Sequence, residues 1–255
     1  LETKYVGAVG DDEAGRFQQA SLRAESIDLS DLDVVPGADT QMAVIIVESH
    51  SGERTILWKR DERLARPPGR LAESSVRAGR VLLVDGHEMP LSIRAARIAR
   101  TAGMPVVLDI DSPRAGSRDL LGLVDFPIVS ETFAPGLTGI PDLLAALGEV
   151  RNLSPGGFAC ATLGRRGALV LSGGAPLRAH PPPVAAADTT GAGDVFHGGF
   201  VFGLLRGWDL ERTVSFATAA ASLNCTAYGA RGGIRERQEV ERVAKDVRVE
   251  RLSGS

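Results

Sequence analysis

An acid follows a run of small residues in Asp188-Thr189-Thr190-Gly191-Ala192-Gly193-Asp194, and the apolar stretch Val195-Phe196-His197-Gly198-Gly199-Phe200 comes directly after it. Small residues let a backbone turn sharply and let a ligand approach the main chain closely. A helix beginning at Gly193 or Asp194 would leave its first N–H groups unpaired. Such groups carry roughly half an elementary positive charge and form a ready anion site. Asp194 would then stand in the first helical turn, beside the anion. An acid there is a poor device for holding phosphate passively, but a good one for taking a proton from a hydroxyl that attacks phosphate. Capping is the competing role, and for a lone GxGD it is the commoner one. Here Asp188, two threonines and three small residues all precede Asp194, and that longer constellation favours chemistry.

Other chemistries lack their residues. The chain has no GxxxxGK[ST] phosphate loop, no GxGxxG after an early strand and no G-x-S-x-G nucleophile elbow. Its four histidines and two cysteines show no metal-ligand spacing. Cys160 and Cys225 are isolated and read as buried free thiols of a reducing cytoplasm rather than a disulfide framework. A net charge of −3 gives no basic footprint for nucleic acid. No apolar run approaches the ~20 residues of a membrane span, and the first residues lack the apolar core of a secretory signal. The length of 255 residues with 44% hydrophobic content fits a single α/β domain over 1–255, or one domain with a small appendage.

The elements that must position the acid follow an alternating order. Lys4 to Gly10 is strand-like, and Asp11 to Gly15 can cap a following helix. Gln41 to Val47 and Arg54 to Lys59 are strand-like runs around a polar turn, a hairpin candidate over about 41–60, with His50 a solvated tip residue. Trp58 either packs on the core or faces a ligand. Val81 to Val84, Val106 to Asp111, Phe126 to Val129, Ala159 to Leu163 and Ala168 to Leu171 are further strands. Leu91, Ala95, Ile98, Ala99 and Ala102 share one helical face, closed by Gly103 and Pro105. This order predicts a mainly parallel sheet with helices on both faces. Asp85, Asp109, Asp111, Glu131 and Thr162 fall at the C-terminal strand ends, the edge where open α/β sheets bind ligands. Helix capping is an equally common use for any one of these acids. A helix is expected over 209–228, with Asn224 about 40° from its apolar stripe at ~100° per residue. A polar group there needs a partner. The charged remainder, with Val240, Val243, Ala244 and Val247, predicts a terminal amphipathic helix.

The stretch DTTGAGDVFHGGF resembles the C-terminal signature of the ribokinase-type (PfkB) carbohydrate kinases. VGDDEAG near the start, ATLGRRGALV and the alanine-rich helix near residue 220 extend the likeness over most of the chain. The resemblance implies a ribokinase-like three-layer α/β/α fold, mostly parallel, with a small β-sheet lid at the hairpin. Lids of this kind often pair in homodimers. It implies ATP-dependent phosphorylation of a sugar hydroxyl, with Asp194 as base and Gly191, Ala192 and Gly193 as the anion hole. Thr162 and Gly164 would line the ATP phosphates and ribose, and Asn224 would touch the nucleotide. Mg²⁺ would ride on the ATP phosphates, mostly through water. Asp188 and the threonines would either shape the turn or bind a monovalent cation. The family's magnesium-linked Asn-x-x-Glu motif should fall at Ser130-Glu131-Thr132-Phe133, where Ser130 and Phe133 replace its ends. That departure, with Val84-Asp85-Gly86-His87 and Trp58-Lys59-Arg60-Asp61, is similar to the ketohexokinase-like branch, including sulfofructose kinases. In that branch Asp85, His87 and Arg114 would face the sugar or its anionic tail, and a ketose or related sugar is the expected acceptor. A nucleoside kinase of the same fold and a catalytically silent sugar-binding module are the alternatives. The family's strand and Gly-Gly…Asn sugar-binding segment, which come before a VGxDxxG stretch, are expected but do not occur in these 255 residues.

Overall fold

Asp12 shows why Val9-Gly10-Asp11-Asp12-Glu13-Ala14-Gly15 takes the form it does. Its carboxylate caps helix α1 (Glu13–Ala24) by accepting from Gly15 N at 2.8 Å, and it also accepts from Thr40 N and Thr40 Oγ1 at 2.9 and 2.6 Å. Thr40 Oγ1 in turn accepts from Gly10 N, the last residue of strand β1 (Lys4–Gly10). A side chain at Gly15 would lie 2.1 Å from Gly10 O, so only glycine fits. The computed structural model describes residues 1–47 and 54–252. Its contacts divide into two units, 1–79 and 80–255.

In the first unit β1 runs parallel to β2 (Asp28–Val35) through α1, a β-α-β unit. Strand β2 is absent from the sequence reading because its acids are poor strand formers. They are offset locally: Lys4 Nζ donates to Ser30 Oγ and Asp31 Oδ2, each at 2.8 Å, and Arg66 lies 3.3 Å from Asp33. Strands β3 (Met42–Val47) and β4 (Arg54–Lys59) pair antiparallel with Val44 opposite Leu57, so the hairpin is present. Its turn, with His50, lies outside the described residues. Met42, Val44, Ile46, Leu57 and Trp58 are all more than half exposed, so Trp58 is not a core residue. A short helix α2 (Glu73–Arg77) closes the unit.

The second unit is built on a seven-stranded sheet. Strand β5 (Leu82–Val84), helix α3 (Met89–Thr101), strand β6 (Val106–Ile110), helix α4 (Ser117–Leu121) and strand β7 (Phe126–Ser130) open it. Helices α5 (Phe133–Thr138) and α6 (Leu143–Leu153), then strands β8 (Phe158–Thr162), β9 (Ala168–Ser172) and β10 (Leu177–His180), follow. Helices α7 (Ala192–Leu205), α8 (Leu210–Asn224) and α9 (Arg237–Val243) precede strand β11 (Arg248–Arg251). The ladders joining β5, β6, β7 and β8 are parallel, and those joining β8, β9, β10 and β11 are antiparallel. Strands β6 to β9 are buried almost without alternation, the mark of a sheet covered on both faces. Val107, Ile128, Phe158, Cys160 and Val170 face α7 and α8, while α6 packs on β8 and β9.

Two expectations are corrected here. The terminal segment is not one helix: α9 stops at Val243, and Arg248–Arg251 forms an edge strand against β10. Its alternation of charged and apolar residues suits an edge with one solvated face, and His180 Nε2 meets Glu250 Oε1 across it at 2.8 Å. Helix α7 begins one residue earlier than expected, at Ala192.

Helix α7 seats on α8 through missing side chains. A Cβ at Gly199 would lie 2.9 Å from Ala217 Cα, and one at Gly203 2.7 Å from Thr213. At Gly198, on the open face, it would touch nothing. Gly199→Ala therefore forces the helices apart and lowers the unfolding free energy by about 1–3 kcal/mol. Gly198→Ala leaves it unchanged or raises it by up to about 1 kcal/mol through helix propensity. Urea titrations of both variants give the comparison.

Candidate active site

Helices α1, α6 and α8 each begin on an aspartate whose carboxylate accepts from the first turn: Asp12, Asp142 and Asp209. Helix α7 does not. Its N-cap is Gly191, with φ +74°, and no side chain caps it. Ala192 N donates to Thr189 O over 3.3 Å and Val195 N to Gly191 O at 2.9 Å. Among the described residues the N–H groups of Gly191, Gly193 and Asp194 meet no protein acceptor. Of the three residues expected to form an anion hole, Gly191 and Gly193 carry unpaired donors, Ala192 N is partly engaged, and Asp194 N is a further unpaired donor. A Cβ at Gly193 would enter open space, so that face is free for a ligand.

The turn is held from behind. Asp188 Oδ1 accepts from Thr190 N at 2.8 Å, and its Oδ2 from Gly229 N at 2.9 Å. Both oxygens serve the backbone, which is the turn-shaping role; a monovalent cation would have to share them. Asn224, the last residue of α8, is fully buried. Its Nδ2 donates to Thr190 O and Ala230 O, each at 3.1 Å. Asn224 thus holds the backbone of the turn through Nδ2, while its Oδ1 meets no donor among the described residues.

The strand register sets the opposite wall. Val84 pairs with Leu108, so Asp85 follows beside Asp109, and Ser130 pairs with Thr162. These residues end four parallel strands at one edge, as the sequence reading expects. Asp85 Oδ1 accepts from His87 N at 2.9 Å, and Arg114 Nη1 donates to His87 Nδ1 at 3.2 Å, which brings Asp85, His87 and Arg114 together. Ser130 Oγ donates to Asp111 O at 2.6 Å, and Glu131 is ion-paired to Arg166. Thr162 Oγ1 donates to Val129 O at 3.3 Å, and Gly164, with φ +56°, opens the next turn with free space at its Cβ position. No group of three or more His, Cys, Asp or Glu among the described residues is arranged to hold a metal ion.

Electrostatics converge on Asp194. Its carboxylate is accessible, yet the surrounding protein strips enough water to raise its pKa. His197 opposes that rise, Asp111 and Asp85 add to it, and His87 opposes it weakly. Asp109 is pushed further, to about 6, chiefly by burial; His197 counters and Asp194, Asp111 and Asp85 reinforce. His197 is the residue the sequence reading passed over. It lies three positions beyond Asp194 on an apolar helix, and a polar side chain at a core position was the available signal.

Residues 1–237 match the pfkB family of carbohydrate kinases. The chain is 32% identical over 242 residues to a ribokinase of Haemophilus influenzae, covering 92% of this chain and 79% of that protein. It is 30% identical over 256 residues to an aminoimidazole riboside kinase of Salmonella typhimurium, covering 90% and 78%. The structure of Arabidopsis thaliana ribokinase complexed with ribose and ATP superimposes with a TM-score of 0.83 at 26% identity, covering 96% of this chain and 82% of that one.

The turn carries a direct test. A Cβ at Gly191 would lie 2.4 Å from Ala230 O in a backbone conformation that disfavours side chains. Gly191→Ala lowers the unfolding free energy by about 1–3 kcal/mol. Gly193→Ala, with open space around it, stays within about 1 kcal/mol of the parent chain. Denaturant midpoints of the two variants distinguish them.

Proposed function

The chain belongs to the pfkB family of carbohydrate kinases, ATP-dependent phosphotransferases, and from that premise we propose that Asp194 is the base that activates a sugar hydroxyl. The single observation that supports this most is an accessible carboxylate in the first turn of a helix whose leading N–H groups have no protein partner. In this reading Asp194 accepts the proton of a primary hydroxyl. The freed oxygen bonds to the γ-phosphorus of ATP, the bond from that phosphorus to the bridging oxygen breaks, and ADP leaves. The N–H groups of Gly191, Gly193 and Asp194 hold the charge that builds on the transferring oxygens. Asp194 later gives its proton to water.

Thr162 and Gly164 line the nucleotide side, where the free space at Gly164 admits a close approach of phosphate. Asn224 contributes by fixing Thr190 and Ala230. Mg²⁺ bound to the ATP phosphates supplies neutralising charge; Ser130 and Glu131 are already engaged within the protein, which fits an ion held mainly by nucleotide and water.

Asp85, His87 and Arg114 form the sugar-facing group. The acceptor we propose is a five-membered-ring sugar with a primary hydroxyl, a class that includes ribose, ribosides and the furanose form of ketohexoses. The relatives named for ribose and aminoimidazole riboside support the ring and the hydroxyl. A ketose, with or without an anionic tail, fits the same group through the spare donors of Arg114. The nucleoside reading draws on the riboside kinase likeness and enters the same substrate panel. No helix of the described residues is long and apolar enough to cross a membrane. The ATP requirement and the two free thiols support a cytoplasmic setting.

The hairpin supports a homodimer. Met42, Val44, Ile46 and Leu57 share one face of an antiparallel ribbon by alternation and register, and all are more than half exposed. A two-stranded ribbon with an open apolar face gains by pairing with its own copy.

Two outcomes are expected. Asp194→Asn loses at least about 100-fold in kcat while sugar binding, read by calorimetry, survives. In the parent chain kcat/KM falls on the acid side, where Asp194 is protonated, with a limb above the ordinary carboxylate value because its pKa is raised. A variant that phosphorylates ribose, fructose or aminoimidazole riboside at the parent rate would remove Asp194 from the role. Separately, Val44→Lys with Ile46→Lys converts a dimer to a monomer in sedimentation velocity and removes the concentration dependence of the unfolding midpoint. A parent chain that sediments as a monomer across the micromolar range contradicts the pairing.

A further inference from the structure

His197 is buried at 3% exposure on α7, and both of its ring nitrogens point at oxygen. Nδ1 lies 2.7 Å from Gly193 O and 3.2 Å from Asp109 Oδ2. Nε2 lies 3.1 Å from Ile128 O. A carbonyl oxygen only accepts, so each nitrogen must carry a hydrogen to bond its neighbour. A neutral imidazole has one hydrogen. Either neutral tautomer would set a ring lone pair against the lone pairs of one of these carbonyls, at 2.7 or 3.1 Å. The doubly protonated ring satisfies every contact, and the Asp109 carboxylate stands beside it as counter-charge.

We propose that His197 is a permanently charged positioning residue: an imidazolium, clamped by Gly193 O, Ile128 O and Asp109, whose positive charge keeps Asp194 ionised in a crowd of acids. The proposal rests on the reading of Asp194 as the base. Its geometric reason is the helix itself, since Asp194 and His197 are three apart on α7 and so share a face. The groups facing Asp194 from other elements are Asp85 and His87 beyond β5, and Asp109 and Asp111 at the end of β6. Three of these four are acids, and each that ionises penalises the charge the base needs. His197 is the cation on Asp194's own helix. Because its hydrogens are all committed to fixed oxygens, it neither rotates away nor gives up a proton as catalysis proceeds. The Nδ1 contact to Gly193 O also ties the ring to the anion-hole turn, so charge and donors are held in one register.

The test joins a spectrum to a pH profile. In protein labelled with ¹⁵N at histidine, His197 is expected to show both ring nitrogens protonated at neutral and mildly alkaline pH; a neutral-tautomer signature there overturns the proposal without any variant. Asn at position 197 keeps a polar side chain but no charge. His197→Asn is expected to raise the acid limb of kcat/KM by about one pH unit, so activity lost on the acid side is recovered at higher pH. Asp109→Asn removes an acid and leaves the cation, so its acid limb stays in place or moves down. A uniform loss of kcat in His197→Asn with the limb unmoved, or an upward move of equal size in both variants, shows a structural role and overturns the proposal. Asp194→Asn, run in parallel, separates the two ideas: if it retains full turnover the base assignment fails, whatever the spectrum of His197 reports.

Discussion

The amide of Asn224 has no access to water, and it holds two loop carbonyls. One Nδ2 ties Thr190 O to Ala230 O, and the carboxylate of Asp188 repeats the link from Thr190 N to Gly229 N. Leaving the buried Nδ2 without these acceptors costs about 1–3 kcal/mol, which ties the two loops to each other at Asn224. The start of α7 depends on that tie. Gly191 can take its left-handed conformation against Ala230 only while the loops are joined, and the unpaired N–H groups of α7 are aimed by Gly191. A helix cap would have been the cheaper way to end α7, as at Asp142 and Asp209. The chain uses a buried clamp in its place, which leaves the donors open.

The same helix is asked to do opposite things at its ends. Gly199 and Gly203 remove side chains so that α7 can lie on α8, and the apolar core of Phe126, Phe158 and Phe200 fills the space beneath. Within this dry environment sits His197, with Asp109 beside it. A buried ion pair is weak evidence for stability, because lost hydration offsets most of the attraction. Its value lies in the field it sets. Burial raises the pKa of both acids, that of Asp109 to about 6, and the charge of His197 opposes the rise at each.

Much of this is legible in the residue types alone, for physical reasons that differ by element. Strands β6, β7 and β8 are buried on both faces, so they read as continuous apolar runs ending in polar residues, and the ligand edge follows from their parallel order. The Asp188–Asp194 stretch is legible because Asp188, two threonines and three small residues precede the acid, more than a helix cap requires. Strand β2 is not, since its acids are tolerated only through Lys4 and Arg66, partners far along the chain. Strand β11 was mistaken for helix because Val240, Val243, Ala244 and Val247 keep a helical spacing up to the point where pairing with β10 takes over. Asn224 read as a polar residue needing a partner, which is correct, but a helix projection cannot say whether that partner is a ligand or a neighbouring loop. His197 was passed over for a related reason: its partners, Gly193 O and Ile128 O, are backbone atoms, which leave no mark in the residue types.

The arrangement also explains why the motif is continuous in sequence while the site is not. Gly191 to His197 carry the donors, the acid and the cation within two helical turns, so their mutual geometry is set locally by α7 and needs no long-range packing. The strand edge supplies Asp85, His87, Asp111 and Arg114 from the two loops that follow β5 and β6, and in the proposed reading these loops meet the acceptor. Phosphoryl transfer needs the first set fixed, because charge develops at one place whatever the acceptor. Recognition of an acceptor needs the second set adjustable. The rigid clamp at Asn224 and the loop-borne group around Arg114 divide those demands between them, and the fixed part is the part a reader of the sequence meets first.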